Sequence, residues 1–239
     1  RAYTLMNVVD KMLGQIINKV MFSTFSEIQN NKNEVIRVLN RSIGLLFCML
    51  IPISSICYLY ANEIINILLG PGWNNATVAY KILVIGMTFR VGYKLLAACI
   101  KGVGGVYQNM LNQFIYMLLV VLGSYLLKEN GISGVALAVF FALCIHFLSQ
   151  IIYLKSRGFL KLKYFFIKIA GSIPLALLII FISLMLDIFI LVNFSPIGSF
   201  FIFIAITLII CLFLIRYKFR LFITVDIDWL KQKIFDKIN

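Results

Sequence analysis

The chain has 239 residues, of which 62% are hydrophobic and only 13% charged, and its net charge is +13. That balance excludes a soluble domain and a disordered chain alike, and leaves an integral membrane protein. It also argues against nucleic acid as the partner of the positive charge, because most Lys and Arg sit at the ends of apolar stretches, where topology signals lie.

Residues 1–25 are moderately apolar with a wide polar face. Asn7, Lys11, Gly14 and Asn18 recur at helical spacing, flanked by Asp10 and Gln15, while Leu5, Val9, Met12, Ile16 and Val20 take other sectors. Such a helix either lies on the membrane surface or spans it with the polar face on a cavity, and the run of spans that follows favours the second. Residues 26–41 read as a polar connection on the cytoplasmic side. The apolar run Ser42–Ala61 is long enough to span and contains Pro52, a tolerated kink or a hinge. Beyond it, Gly70, Pro71 and Gly72 predict a turn, and Trp73 is suited to the headgroup level.

Lys81 to Gly104 is the stretch on which the rest depends, because it has the length of a membrane helix and carries charges inside it. At helical spacing Arg90, Lys94 and Lys101 fall within about 40° of one another. Gly86, Tyr93, Ala97 and Gly104 fill the same sector. A charge near the bilayer centre costs roughly 2.5–3.5 kcal/mol on insertion scales, so these side chains are expected to face water and to favour an anion. A turn through Gly102, Gly104 and Gly105 leads to a span over Met110–Leu127, a tight turn over Lys128–Gly131, and a return span over Ile132–Leu154. Gly131, Gly134 and Ala138 give that return helix a small-residue face for close packing. His146 lies within it, as a packed, hydrogen-bonded residue or as a proton site. A basic loop (155–168), two further spans (169–215) and an amphipathic tail (216–239) complete the chain. The five cysteines show neither paired nor metal-ligand spacing, so no metal site, cofactor or disulfide is expected.

Lys and Arg number three in Ser26–Arg41, none in Asn62–Tyr80, one in Lys101–Asn109, one in Lys128–Gly131, five in Lys155–Lys168, none in Asp187–Pro196 and six in Arg216–Asn239. The alternation predicts about seven spans, with Arg1 outside and the C-terminus cytoplasmic. The opening on Arg1 rather than Met, with an odd number of spans, suggests a chain that has lost an N-terminal part.

The order of features resembles the C-terminal half of a polysaccharide or O-antigen flippase of the multidrug/oligosaccharidyl-lipid/polysaccharide (MOP) exporter superfamily. The likeness is carried by a polar-faced helix ending in SEIQNNKNEV, a Pro-containing helix running into NEIINILLGPGWNNA, the turn IKGVGGVYQN and the helix start GISGVALA. It covers the chain to about Leu154 and is weaker beyond. It implies an all-α polytopic bundle forming one lobe of a two-lobed transporter in the bacterial inner membrane, not an enzyme, that flips an undecaprenyl-diphosphate-linked oligosaccharide for O-antigen or capsular polysaccharide. The partners implied are that lipid-linked substrate, membrane lipid, an N-terminal lobe of the same protein and other polysaccharide-assembly proteins. On that reading Arg90 and Lys94 engage the diphosphate or acidic sugars, and Lys101 recruits the head group. Asn7, Lys11, Asn18 and Tyr93 form a polar wall, while Asp10 and His146 are the titratable candidates for coupling. Rivals are a cation-coupled multidrug antiporter, which wants more buried carboxylates, and a membrane glycosyltransferase or polymerase, which wants chemistry-bearing loops.

Overall fold

A computed structural model describes residues 14–70, 72–73, 76–160 and 162–171, with the single positions 174, 177 and 181. Asn7, Asp10 and Lys11, most of the two spans expected over 169–215, and the tail over 216–239 lie outside the described residues. Every regular element among the described residues is a helix. In chain order they are α1 (Gln15–Glu27), α2 (Lys32–Leu59), α3 (Ala61–Leu69), α4 (Ala76–Gly102), α5 (Val106–Leu126), a short 3-10 turn (Lys128–Asn130), α6 (Gly131–Ser156) and α7 (Leu162–Ala170).

Four of the expected spans, now α2, α4, α5 and α6, lie within the described residues, and each is long and apolar enough to cross a membrane. Their boundaries differ from the sequence reading in an informative way. The polar connection expected over 26–41 shrinks to a turn, because the Asn31 side chain accepts a hydrogen bond from the Glu34 backbone N–H at 3.3 Å and starts α2 at Lys32. An acidic first turn at Glu34 suits the helix dipole there. The 28 residues of α2 make about 42 Å of helix. That exceeds the roughly 30 Å of hydrocarbon, so its polar first turns emerge into the interface. Nearly all of α3 falls in the connection expected after Ala61; this helix begins as soon as α2 breaks at Tyr60 and buries Ala61 and Ile65. Positive φ at Gly70 (86°) and Gly72 (108°) then makes the predicted turn.

Pro52 is buried in α2 without ending it. Its ring removes the N–H that would bond the Cys48 carbonyl. The serines that follow do not serve that carbonyl: Ser54 and Ser55 both donate to the Ile51 oxygen, at 3.0 and 2.9 Å.

The bundle is built around α4, which packs against α1, α2 and α6. Lipid tails are as apolar as leucine, so helices in a membrane are held by close packing and internal polar bonds more than by the hydrophobic effect. Small residues on α4 permit that closeness. A Cβ at Gly92 would stand 2.9 Å from the Phe147 ring of α6 and 3.3 Å from Phe47 of α2. One at Gly102 would stand 2.6 Å from the Phe25 Cβ of α1. Around Gly92 the rings interlock: Phe147 has its centroid 6.1 Å from Phe47, 5.6 Å from Phe89 and 6.2 Å from Phe165 of α7. Edge-to-face and tilted pairs of this kind each add about 0.5–1.5 kcal/mol beyond their contact area. The small-residue start of α6 packs as its sequence suggests, with Gly134 directly against the Leu127 carbonyl and Ala138 against Gly123 of α5.

Three connections meet at one end of the bundle. Phe25 packs on Gly102 there, and the Lys32 ammonium, at the start of α2, lies 5.4 Å from the Phe159 ring beyond α6. The connections after α1, α4 and α6 therefore share an end, and the lysine- and arginine-bearing start of α2 and end of α6 lie there too.

Candidate functional site

Asn18 and Lys101, 83 residues apart, come together across the seam between α1 and α4. The Lys101 ammonium donates to the Asn18 Oδ1 at 3.1 Å and lies 5.7 Å from the Phe22 ring centroid. Lys101 sits in the last turn of α4, where the helix dipole favours a cation. The neighbouring α1 residues Lys19, Val20, Phe22 and Ser23 are exposed, so the seam opens on a surface that mixes amine, amide, hydroxyl and aromatic groups. Such a mixture suits an anionic or hydroxyl-rich ligand: the amine supplies charge, and the amide and hydroxyl adapt to varied donors and acceptors.

Arg90 and Lys94 follow the same line of α4, three and two turns before Lys101, and both are half-buried, as Lys101 is. None of the three is fully exposed or sealed in the core. The acidic residues on the described helices and turns, Glu27, Glu34, Glu63 and Glu129, stand at helix ends or in the 3-10 turn, away from the middle of the spans. The apolar residues opposite this line meet protein more than lipid: Val84, Val91, Leu95 and Leu96 are buried, and only Ile85 is exposed.

Tyr93, in the same sector of α4 by sequence, packs against His146. Their ring centroids are 4.5 Å apart in an edge-on arrangement, and Tyr116 of α5 stands 5.2 Å from the His146 ring. His146 is 2% exposed, and its Nε2 is 3.1 Å from Gln150 Nε2, whose amide donates. That contact leaves the Nδ1 side of the ring to carry the proton of a neutral imidazole. Beside it, Asn112 Oδ1 accepts from Gln108 Nε2 of its own helix at 3.2 Å and from Ser149 Oγ of α6 at 2.9 Å. Asn112 and Gln150 are 2% and 0% exposed.

This polar seam between α5 and α6 was missed in the sequence. Its signal was present: Gln108 and Asn112 stand one turn apart, as do His146 and Gln150 with Ser149 between them, all within helices of membrane-spanning length. Among the described residues no group of three or more His, Cys, Asp or Glu is placed to hold a metal ion.

The chain is similar in fold to a solved structure, the lipid II flippase MurJ in an inward closed conformation, with a TM-score of 0.66 over 91% of this chain at 18% identity. The two chains thus share a helical fold. A family described as "Polysaccharide biosynthesis protein" matches residues 1–78. No curated protein sequence matches the chain. The likeness to polysaccharide-exporting proteins read from the order of helices and turns agrees with the family match over residues 1–78, and the expected all-helical bundle agrees with the structural match. The chain spans about half the length of that flippase, 46% of it. The family match takes in α1, α2 and α3, and with them Asn18, one side of the α1–α4 seam.

Proposed function

We propose that this chain is the C-terminal lobe of a flippase that carries an undecaprenyl-diphosphate-linked oligosaccharide across the bacterial inner membrane, for O-antigen or capsular polysaccharide. The observation that carries the reading is the half-buried line Arg90, Lys94 and Lys101 on the central helix of a MOP-type fold, tied to α1 through the Asn18 bond. A diphosphate offers two negative charges and several strong acceptors. A guanidinium fork and two amines, all half-buried, give it charge-assisted bonds stronger than those in bulk water. Asn18 supplies a polar wall tolerant of different sugars, and Asn7 and Lys11 extend it on the same sequence spacing. Tyr93 belongs to this reading only as the link from the cationic line to His146.

Alternating access between this lobe and an N-terminal one is the motion proposed, with the Lys101 end facing the cytoplasm and the C-terminus on the same side. Pro52, inside the core of α2, is the proposed hinge, and Asp10 and His146 are the proposed coupling groups. The test is the double substitution Arg90→Ala with Lys94→Ala in the full-length protein, read as surface polymer in a strain that lacks its own copy. Polymer is expected to fall to the level of the empty strain while the protein stays in the membrane at normal abundance. Unchanged polymer from that strain overturns the assignment.

A further inference from the structure

We infer that the groove between the first turns of α5 and the last turns of α6 is a binding site for one anionic phospholipid, distinct from the cationic line of α4. The groove has a volume of about 420 Å³, within the roughly 300–1,000 Å³ typical of small-ligand sites. Along α6 its lining runs from Ile145 and Leu148, both apolar, through Ser149 and Ile152 to Tyr153 and Ser156, with Gln108 on the α5 side, so the polar groups gather toward the last turns of α6; Ile145, Leu148 and Ile152 are all exposed. From Ile145 to Ser156 is three turns of helix, about 16 Å along the helix axis.

The wall is pre-set. Ser149, in the middle of the groove, and Gln108, at its mouth, both donate to the buried Asn112 Oδ1. Above the polar end the Arg157 guanidinium lies 5.6 Å from the Tyr153 ring, and Lys155 and Arg157 are both exposed. The segment that follows, 155–168, holds five Lys and Arg and no acid. Hydrocarbon at one end and exposed cations at the other are complementary to a phospholipid with a net negative head, and less so to a zwitterionic one.

The inference goes beyond the flippase reading and does not depend on it, because its readout is lipid retention. Native mass spectrometry of the full-length protein, stripped in detergent and titrated with phosphatidylglycerol, phosphatidylethanolamine or undecaprenyl phosphate, tests it. One phosphatidylglycerol is expected to be held more tightly than phosphatidylethanolamine. Arg157→Gln is expected to weaken phosphatidylglycerol about fivefold and leave phosphatidylethanolamine unchanged, as expected for one cation at an anionic head. Ile152→Trp, and separately Leu148→Trp, fill the groove from exposed positions and are expected to remove the tight lipid without shifting the melting profile. Equal retention of the two phospholipids by the unaltered protein and by the Arg157→Gln variant overturns the site. So does preferential retention of undecaprenyl phosphate that Ile152→Trp abolishes, since the groove then belongs to a polyprenyl lipid.

Discussion

Helices α4 and α5 are adjacent in the chain and have similar mean hydropathy, 1.6 and 1.3 over their most apolar windows, yet 67% of one window is buried in protein and 6% of the other. Hydropathy measures how willingly a segment leaves water, and lipid or protein serves equally well as the destination. Side-chain size separates the two helices. Around its contacts α4 carries Gly86, Gly92, Ala97 and Ala98, whereas α5 presents Met110, Phe114, Met117, Leu118, Val121 and Leu122, all exposed. Small residues let backbones approach, and large branched ones fill space against fluid acyl chains. The one buried residue of α5 is polar, Asn112, so this helix is fastened to α6 by hydrogen bonds where α4 is fastened by shape.

That contrast is breakable at four points, each read as the apparent melting temperature of the purified protein in detergent. The largest effect is expected from Phe147→Ala, which empties the ring cluster shared by α2, α4, α6 and α7 and costs about 3–5 kcal/mol. Gly92→Leu drives a side chain into Phe147 and Phe47 from the other direction and is expected to cost about 1–3 kcal/mol or to prevent assembly. Asn112→Leu removes the acceptor for Gln108 and Ser149, for an expected loss of about 0.6–1.7 kcal/mol, the range of interhelical hydrogen bonds in membranes. Leu122→Ala, on the outer face of α5, is expected to stay within about 0.5 kcal/mol of the unaltered protein. A Leu122 variant as damaging as the Gly92 one would mean that the outer face of α5 is packed against protein. An Asn112 variant with no effect would mean that α5 is held by shape after all.

Much of this architecture was legible in the residues. Gly70, Gly102 and Gly131 punctuate the apolar runs, and the runs between them proved to be helices, because few backbone conformations other than a helix satisfy their own polar groups in hydrocarbon. Helix ends were less legible. Asn31 capping Glu34 turned half of an apparent loop into the first turns of α2, since polarity marks where a helix leaves the membrane and not where it stops. At the site, Asn18 and Lys101 were chosen from periodicity on separate helices, and their contact follows from α1 crossing α4 at Gly102. Tyr93 was placed in the right region of α4 but turned toward α5 and α6. A wheel gives an angle about one axis and does not say which neighbour occupies it.

Composition, apolar length and the position of the cations determined by themselves that this protein lives in a membrane, that it is helical, and which helix carries charge at depth. Those are properties of each segment against its solvent, and the sequence of a segment contains them. Which helices touch, that α4 is central and α5 peripheral, and that His146 meets Tyr93 while Lys101 meets Asn18, were decided only by tertiary packing. Partner choice inside a bilayer depends on how surfaces fit after folding, and lipid offers no gradient that would write that choice into the hydrophobic pattern.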